Sequence, residues 1–555
     1  MINLRSLYIY GGSKDYKISI NKRDFIYHIN TGVLKTESQC LDGLESIHNI
    51  ALKIKDDYIR YINSLNDLFI KNNLLFKKDI SLFYFSDLFN KRTELFDTFL
   101  SICHITFIKE QLIDKYKINS IKTIQCSSSF NQSILSSMKD INIEIIKEKK
   151  EKKYLLKRLL AQKKYYLDSL LNLLLIKLFY KKEERKNTDS LFLSRYPLHF
   201  NKNFVEDKYG DMVGKNDSFL ISMITDGFHQ KIKLNKIYDY INDLNRKKNI
   251  IFLDYYLTAS DFIWGFINSI LLVKRTRRLY KQNYFFNGIK ITKFISKELE
   301  QSFIRIPRLL IYGNAIKKVF SFHGIKKSIF YLHEYSYGRF FNYVLIKYFP
   351  NVIRVGFQHG PAARRKLLYY LGKNIVSDNP KDWQKKTPIP NMILAEDELS
   401  KSIYEEAGYK NVKIMKYIPR LKYLSKINRN NILDKVLIVP GLHDGYSLLT
   451  FLFNRIKEDN DNLYILKPHP RSKLFSEGVP NEFKSQNLSL GFEHISKYLE
   501  SSKEVIVTYS SVGIEAHLLN IPVTVVCLPN LINESPLLDI PTEKSVNIIY
   551  KKRTY

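Results

Sequence analysis

The chain has 555 residues, which is too long for one ordinary hydrophobic core and predicts two large domains. Hydrophobic residues make up 45% of it and aromatic residues 14%, which excludes an intrinsically disordered protein. The formal net charge of +33 favours an anionic partner, and nucleic acid, an anionic membrane or a phosphorylated small molecule would each satisfy it. A biased genome composition rich in lysine explains the same excess without any partner.

The first residues predict a layered α/β fold. Leu7 to Tyr10 has the pattern of a strand that ends at Gly11-Gly12, and residues 41–114 are mainly helical in pattern. Residues 121–126 return to a strand pattern before three serines. A further buried-strand pattern at 219–225 runs directly into Asp226. This alternation of strands and helices indicates an α/β architecture.

A basic run at 147–153 opens a long helical region that ends near residue 187. A solvated helix face explains the run without a function, and contact with anionic lipid headgroups is the functional alternative. The apolar stretch 166–180 carries Asp168 and Lys177 and is shorter than the ~20 residues of a membrane-spanning helix. We therefore expect a buried or interfacial helix there.

The start of the chain lacks the features of a signal peptide, and the four cysteines stand far apart without metal-ligand spacing. Both observations favour a cytoplasmic protein, with peripheral contact to the inner face of the cell membrane as an addition.

The second half of the chain alternates strands and helices almost throughout. A strand at 328–333, a helix at 337–348 and a strand at 351–357 form one parallel unit, and a longer series of the same kind follows from residue 391. We predict three parts: an N-terminal acceptor-side domain 1–380 with helical insertions at about 147–187 and 255–320, a doubly wound domain 381–530, and a segment 531–555 that packs back on the first domain.

Four short segments follow predicted strands of this half, where ligands of open parallel sheets bind. They begin at Gln358, Pro440, Lys467 and Thr508. Ser510 and Ser511 lie between a buried strand and a helix, where they either cap the helix or bind a phosphate together with free backbone N–H groups. Glu515, one turn into that helix, is placed to accept hydrogen bonds from ribose hydroxyls.

Two prolines hold the backbone around His469, so its side chain has a defined direction. Lys467 and Arg471 flank it with two more phosphate-compatible charges. A loop histidine without a function is the alternative. The predicted donor-binding residues are Gly441, Lys467, His469, Pro470, Arg471, Ser510, Ser511 and Glu515.

The pair Lys467-Pro468-His469-Pro470 and Tyr509-Ser510-Ser511-Val512 resembles the HP and SS motifs of bacterial surface-carbohydrate glycosyltransferases of GT-B fold. Those families include sialyl-, polysialyl- and Kdo-transferases that use CMP-sugars, and the related CDP-glycerol and CDP-ribitol phosphotransferases of teichoic-acid synthesis. The resemblance implies two Rossmann-like doubly wound domains that face a cleft. It also implies that His469, Ser510 and Ser511 hold the phosphate of a cytidine nucleotide and that Glu515 holds its ribose.

The segment from Val355 to Pro361 is similar to the His-Gly segment of the alditol-phosphate transferases, in which the histidine is the proposed base. This chain has Gln358 where those enzymes carry tryptophan. The acidic motif that supplies the sialyltransferase base is matched only in part, at Asp226 and its neighbours.

Transfer to an acceptor hydroxyl needs a base for its proton and cationic groups for the departing phosphate. The base candidates are His359, Glu334 and Asp226. A hydrogen-bonded core histidine is the alternative for His359, and an ion pair with Arg339 or Arg364 is the alternative for Glu334.

The sequence therefore predicts a glycosyltransferase that moves a sugar, a nonulosonate or Kdo-type acid from its CMP form, onto a surface polysaccharide such as capsule, lipopolysaccharide or O-antigen. The expected partners are the nucleotide-sugar and a glycan or lipid-linked glycan acceptor, with no cofactor and no metal. The alternatives are a CDP-alditol phosphotransferase of teichoic-acid type, a sugar-nucleotide epimerase and a basic nucleic-acid-binding protein. No nucleic-acid-binding motif or basic aromatic face is present in the sequence, so we expect no nucleic-acid partner.

Overall fold

The computed structural model contains three large parallel β-sheets with helices packed around them, and its described residues also form three two-stranded sheets, β2-β4, β6-β7 and β13-β14. It describes residues 5–149, 155–181, 183–197, 199–201, 204–206, 208–222, 234–331, 333–377, 379–472, 475, 478–540 and 545–550. The α/β class predicted from the sequence is confirmed.

The first sheet has five strands in the order β5-β3-β1-β8-β9, all parallel. The strands of this region are β1 (Arg5–Tyr10), β2 (Tyr16–Lys17), β3 (Phe25–His28), β4 (Leu34–Lys35), β5 (Gln39–Leu41), β6 (Leu75–Phe76), β7 (Ile80–Ser81), β8 (Ile118–Cys126) and β9 (Asn142–Glu148). The side chains of β1 alternate between two faces: Leu7 and Ile9 join the main core, while Tyr8 and Tyr10 pack in a small second cluster. Residues 1–380 contain the whole of this sheet and five of the seven strands of the second sheet.

The second sheet has seven parallel strands in the order β12-β11-β10-β15-β16-β17-β18. The strands of this region are β10 (Asn187–Arg195), β11 (Ser218–Ser222), β12 (Ile250–Phe252), β13 (Phe285–Phe286), β14 (Ile289–Lys290), β15 (Gly324–Phe330), β16 (Ile353–Phe357), β17 (Met392–Ala395) and β18 (Val412–Ile414). The strand order reverses between β10 and β15, as in a doubly wound dinucleotide-binding fold.

The third sheet has six parallel strands in the order β21-β20-β19-β22-β23-β24. They are β19 (Leu433–Val439), β20 (Leu463–Leu466), β21 (Leu488–Leu490), β22 (Ser502–Val507), β23 (Val523–Val526) and β24 (Val546–Ile549). Along β19, Val436 and Ile438 face one core cluster and Leu437 and Val439 face another, so this sheet is buried on both sides. Its order reverses between β19 and β22.

The helices are α1 (Leu44–Ser64), α2 (Asn66–Lys71), α3 (Asp87–Asn90), α4 (Thr98–Phe107), α5 (Ile113–Tyr116), α6 (Ser128–Ser137), α7 (Leu155–Phe179), α8 (Leu234–Asn245), α9 (Ala259–Arg275), α10 (Arg277–Tyr280), α11 (Thr292–Leu310), α12 (Tyr312–Phe322), α13 (Ser336–Tyr348), α14 (Glu398–Glu406), α15 (Gly445–Glu458), α16 (Ile495–Ser501) and α17 (Val512–Leu518). Helix α7 lies within 147–187 and helices α9 to α12 lie almost wholly within 255–320, while the insertion of these segments into a domain stays a prediction. Among the described residues, no helix is both long and apolar enough to cross a membrane.

The pairing of β17 and β18 corrects the predicted domain composition. Both strands were expected to open the C-terminal domain, yet β17 pairs with β16 and β18 pairs with β17 in the seven-stranded sheet. The C-terminal sheet begins only at β19, after a connection that includes the 3₁₀ segment Pro419–Lys426. Local sequence pattern predicts that a strand forms, but its pairing partner depends on contacts distant in sequence.

The last segment bonds to both halves of the molecule. Strand β24 extends the C-terminal sheet, while the backbone N–H of Asn533 donates to Nε2 of His48 on α1 at 3.1 Å. The carboxylate of Asp539 forms an ion pair with Arg365 at 2.9 Å. The segment after residue 530 thus contacts α1 and Arg365 and also supplies β24, a strand that was not predicted.

Candidate functional site

The candidate site lies where the carboxyl ends of the seven-stranded and six-stranded sheets approach each other. His359 follows β16, His469 follows β20, and Ser510 follows β22. Ligands of doubly wound sheets bind at this edge, next to the point where the strand order reverses. The arrangement of two such sheets around a cleft is the one predicted from the sequence for a GT-B fold.

His469 is held in one tautomer by its own turn. The backbone N–H of Arg471 donates to its Nδ1 at 3.2 Å, and the N–H of Ser472 donates to its carbonyl oxygen at 2.8 Å. Burial, followed by the positive charges of Arg471 and Lys208, lowers its pKa to about 4. The imidazole is therefore neutral at pH 7, and with Nδ1 as acceptor its Nε2 carries the proton. Such a group donates a hydrogen bond to an anionic oxygen.

Two further cationic or imidazole groups share the edge of the C-terminal sheet with His469. Arg471 is exposed and acts electrostatically on both His469 and His443, which lies in the loop after β19. Lys467 points elsewhere: its ammonium lies 5.9 Å from the ring centre of Tyr498, and its charged neighbour is Glu493. Arg471 therefore lies near His469 and His443, whereas the ammonium of Lys467 lies near Tyr498 and Glu493.

The loop after β19 packs tightly on the segment after β22. A Cβ atom on Gly441 would lie 2.3 Å from Cζ of Tyr509, so only glycine fits at this position. The N–H of Gly441 donates to Oγ1 of Thr508 at 3.2 Å. Pro470 lies exposed in the turn that follows His469.

Ser511 does not cap the helix that it precedes. Its side chain makes no capping bond and donates instead to Oε1 of Glu515 at 3.4 Å. The hydroxyl of Ser510 accepts from the N–H of Val512 at 3.5 Å, at the limit of a hydrogen bond. Ser510 and Ser511 are half-buried at the edge of the sheet, and their assignment to a phosphate stays a prediction.

Both carboxylate oxygens of Glu515 already have partners. Oε1 accepts from Arg420 at 3.3 Å and Oε2 accepts from the Tyr423 hydroxyl at 2.5 Å. Arg420 also binds Glu396, which follows β17, through two hydrogen bonds of 2.7 and 2.5 Å. A ribose at Glu515 would share the carboxylate with this network, so that assignment also stays a prediction.

His359 lies on the opposite side of the cleft, packed against the ring of Tyr331 at 5.0 Å between centroids. Its Nδ1 is buried and has no hydrogen-bond partner among the described residues, which disfavours a satisfied core histidine. Burial lowers its pKa well below the ordinary value, and Lys208 and Lys366 lower it further. His359 is therefore a neutral imidazole whose Nδ1 has no hydrogen-bond partner among the described residues.

Lys208 links the two halves of the site. It lowers the pKa of both His359 and His469, so its ammonium lies within electrostatic range of both rings. The buried carboxylate of Glu206 positions this loop, since it accepts from the N–H groups of Lys208 at 2.6 Å and Tyr209 at 2.8 Å and from Ser194 Oγ at 2.8 Å. Neither residue could be identified from the sequence, because the loop has no periodic pattern and no motif.

Glu334 is buried at the end of β15 and has its own set of contacts. Its Oε1 accepts from the Tyr404 hydroxyl at 2.8 Å, and its Oε2 lies 3.6 Å from Nδ1 of His333. Arg339 donates to the backbone oxygen of Glu334, to the Tyr84 carbonyl at 2.8 Å and to Asn90 at 2.5 Å. The carboxylate of Glu334 is therefore hydrogen-bonded to Tyr404. The alternative to a catalytic role that was expected from the sequence was an ion pair with Arg339 or Arg364.

A cluster of polar and charged side chains from residues 92–94 and from Glu534 lies next to the site. The Thr93 hydroxyl donates to the buried carboxylate of Glu534, and Arg92 binds Glu94 at 2.6 Å. Burial and the neighbouring Glu94 raise the pKa of Glu534, while Lys366 opposes this rise. Glu94 also acts electrostatically on His443 and Tyr509 of the donor-side sheet. Sequence reasoning missed this cluster because its members lie in loops about 440 residues apart.

Asp226, the third base candidate, lies outside the described residues. In the part of the chain that the structure describes, no group of three or more His, Cys, Asp or Glu side chains is arranged to hold a metal ion. The assembled candidates are therefore His359 and Lys208 on one side of the cleft and His469, Arg471 and His443 on the other.

Comparison with known proteins identifies no relative by sequence: no family model matches, and no curated protein matches. Solved structures with a similar fold include a UDP-GlcNAc 2-epimerase from Neisseria meningitidis bound to UDP-GlcNAc, at 11% identity over 61% of this chain and 82% of that chain, with a TM-score of 0.29. The wall teichoic acid polymerase TagF is similar at 11% identity over 68% and 79% of the two chains, with a TM-score of 0.29. MurG from Acinetobacter baumannii is similar at 11% identity over 65% and 86%, with a TM-score of 0.31. Likenesses this distant assign neither an activity nor a substrate.

Proposed function

We propose that this chain is a glycosyltransferase that binds a nucleotide-activated sugar in the cleft between the seven-stranded and six-stranded sheets. The donor is a CMP-linked nonulosonate or Kdo-type acid, and the acceptor is a hydroxyl of a surface polysaccharide. The observation that carries this proposal is the placement of one imidazole after a strand of each sheet: His359 follows β16 with an Nδ1 that has no partner among the described residues, and His469 follows β20 with its Nδ1 bonded by the N–H of Arg471.

The donor side suits a nucleotide phosphate. Nε2–H of His469 and the guanidinium of Arg471 supply donors, and Lys208 adds positive charge between the two sheets. These groups stabilise the negative charge that develops on the phosphate oxygen as the sugar–oxygen bond breaks. The nucleotide leaves with the electron pair of that bond.

The acceptor side suits proton transfer. As the acceptor oxygen forms its bond to the sugar carbon, its proton passes to a neutral base, and the unpartnered nitrogen of His359 is available for it. Glu334 also has an oxygen without a hydrogen-bond partner among the described residues, Oε2, but it is less suited to this step because its Oε1 accepts from Tyr404 and the residue is buried. His359 is therefore the first candidate to test.

The first test is nucleotide selectivity, measured as ligand-induced thermal stabilisation by CMP, CDP, UDP and GDP. A ligand that binds only the folded state raises apparent stability according to its affinity, so we expect the cytidine nucleotides to give the largest shifts. A larger shift with CDP than with CMP favours the CDP-alditol phosphotransferase, the alternative that needs room for two phosphates. A larger shift with UDP removes the cytidine assignment, and salt-sensitive binding of RNA or DNA without any nucleotide shift would overturn the proposal.

The second test separates donor binding from catalysis by titration calorimetry and turnover. His469→Ala removes one hydrogen bond to the phosphate and should weaken CMP or CDP binding by about 1–3 kcal/mol. His359→Ala should leave that affinity nearly intact and lower the rate by roughly 10²–10⁴-fold. The matched control is His28→Ala. His28 lies in β3 of the first sheet, and its Nε2 accepts from the backbone N–H of Leu34. Unchanged nucleotide affinity in His469→Ala would refute the donor site, and normal turnover in His359→Ala would transfer the role of base to Glu334 or Asp226.

A further inference from the structure

Helix α7 presents a row of large apolar side chains to solvent. Leu160, Leu167, Leu171, Leu174 and Leu178 recur at spacings of seven, four, three and four residues, so they lie along one face of the helix. Leu178 is 65% exposed. The opposite face of α7 is packed inward through Tyr166, Leu173 and Ile176. The exposed row is therefore not needed to hold α7 against the protein.

Helix α9 presents a second row of the same kind. It consists of Ile263, Trp264, Ile267, Ile270 and Leu271, all exposed, while Phe262 and Leu272 are buried. Scattered single apolar residues on a surface need no explanation, but two complete helix faces do.

The two helices lie against each other in antiparallel directions. The rings of Tyr166 on α7 and Phe266 on α9 are 5.7 Å apart, and Gly265 allows this close approach. Lys177, near the end of α7, donates to the carbonyl oxygen of Tyr255, just before α9 begins. The start of α7 therefore lies beside the end of α9, and the two exposed rows lie on neighbouring helices.

The first half of α7 and the neighbouring end of α9 carry many exposed basic side chains. Lys163 and Lys164 of α7 are exposed, as are Lys274, Arg275, Arg277, Arg278 and Lys281 at the end of α9 and around α10. Over their whole lengths α7 and α9 contain only one acidic residue each, Asp168 and Asp261. An apolar face with a basic end complements the boundary of an anionic bilayer, where apolar side chains reach the acyl region and lysine and arginine contact the headgroups.

We propose that the α7/α9 face is a docking surface for an anionic lipid membrane and that the protein lies on the bilayer through it. This inference does not depend on the proposed function, since it involves no residue of the cleft. A second copy of the chain fits less well, because two molecules with a net charge of +33 each repel one another.

Tryptophan fluorescence tests the proposal directly in the full-length protein. The chain has two tryptophans, of which Trp264 is 41% exposed in this face and Trp383 is fully buried. Vesicles of phosphatidylcholine with phosphatidylglycerol should shift the emission to shorter wavelength, and phosphatidylcholine alone should do so far less. Trp264→Phe should abolish the shift without abolishing binding. An unchanged spectrum at saturating anionic vesicles would overturn the proposal.

Vesicle flotation with variants separates the apolar and the basic contributions. Ile267→Ser/Ile270→Ser should weaken binding by at least about tenfold, because two apolar side chains no longer enter the acyl boundary. Arg275→Gln/Arg277→Gln/Arg278→Gln should weaken binding to the anionic vesicles by roughly 10²-fold at low salt. Ile432→Ser/Phe492→Ser changes two apolar residues elsewhere that are more exposed than Ile267 and Ile270, and it should leave binding unchanged.

Two outcomes would contradict the proposal. Equal flotation of the apolar variant and the control would show that another surface binds lipid. A Trp264 emission shift that grows with protein concentration in the absence of vesicles would assign the face to self-association instead.

Discussion

Glu534 is a buried carboxyl whose ionisation state is set by its surroundings. Burial is the largest cause of its raised pKa, and the negative charge of Glu94 adds to it. Thr93 supplies a hydrogen bond, and Lys366 opposes the rise. The folded state therefore binds a proton at this residue in a pH range in which the unfolded chain has already lost it.

This shift predicts a pH-dependent effect of Glu534→Gln on stability. Because the pKa of Glu534 is higher in the folded state, its ionisation destabilises the fold as pH rises above about 4.5. A neutral glutamine lacks that contribution, so the variant should gain on the order of 1–3 kcal/mol relative to the parent between pH 5 and pH 8. Denaturant unfolding at several pH values measures the difference. Glu493→Gln at an exposed site is the control, and a difference that does not change with pH would contradict the prediction.

At the scale of elements, the 3₁₀ segment Pro419–Lys426 connects the seven-stranded sheet to the C-terminal sheet through one side chain. Arg420 binds Glu396 behind β17 and Glu515 on α17, and its pKa is raised by these bonds against the effect of burial. Both carboxylates are buried. The network holds the helix that follows Ser510 and Ser511 in a fixed position relative to β17.

We predict that Arg420→Ala is strongly destabilising. The substitution leaves two buried carboxylates without their cation, and breaking such a network costs roughly 3–5 kcal/mol. Arg429→Ala, in the connection to the same sheet, removes hydrogen bonds only to the carbonyls of Leu499 and Ser502 and should cost about 1–2 kcal/mol. Chemical denaturation of both variants gives the comparison. Equal losses would show that the charge network contributes nothing beyond ordinary hydrogen bonds.

The elements themselves were predictable where the pattern is local. The alternating strands and helices predicted from residue 391 onward include β19 (433–439), α15 (445–458) and β20 (463–466). Buried apolar runs that end in Gly, Pro or Ser specify such strands without tertiary information. The sheet that β17 and β18 join was not predictable in the same way, because every strand of a buried parallel sheet has a similar apolar pattern.

The candidate site was predictable only in part, for a related reason. His359, His469 and Ser510 follow strands, and a rule about strand ends identifies such residues in a sequence. Lys208, Glu94 and Glu534 reach the same cleft from loops, where neither periodicity nor a motif marks them. Their positions depend on how the three sheets pack together.

At the scale of the whole molecule, two buried histidines join the first helical layer to the C-terminal segment. Nε2 of His48 on α1 accepts from the N–H of Asn533, and Nε2 of His104 on α4 donates to the carbonyl oxygen of Pro529 at 2.9 Å. Burial is the largest cause that lowers the pKa of each to about 4. Both rings are therefore neutral in the folded protein.

Their neutral state predicts a loss of stability in mild acid. The unfolded chain protonates these histidines near pH 6.5 and the folded protein only near pH 4, so stability falls as pH decreases through this range. Each histidine contributes roughly 3 kcal/mol of this loss when the full range is crossed. His104→Gln should reduce the acid-induced loss by about that amount, as measured by unfolding at pH 7 and pH 4.5. His494→Gln, at an exposed position, is the control, and an unchanged pH dependence would contradict the prediction.

The bond between His48 and Asn533 joins residues 485 positions apart, and this separation has a consequence for biosynthesis. At 5–20 residues per second, a ribosome needs about 25–100 s to make the chain between them. During that time α1 and α4 have emerged, but the surface that receives the C-terminal segment has no cover from it. A nascent chain of this protein should therefore engage a chaperone at this surface until the last strands are translated, and stalling the ribosome before residue 529 should prolong that association.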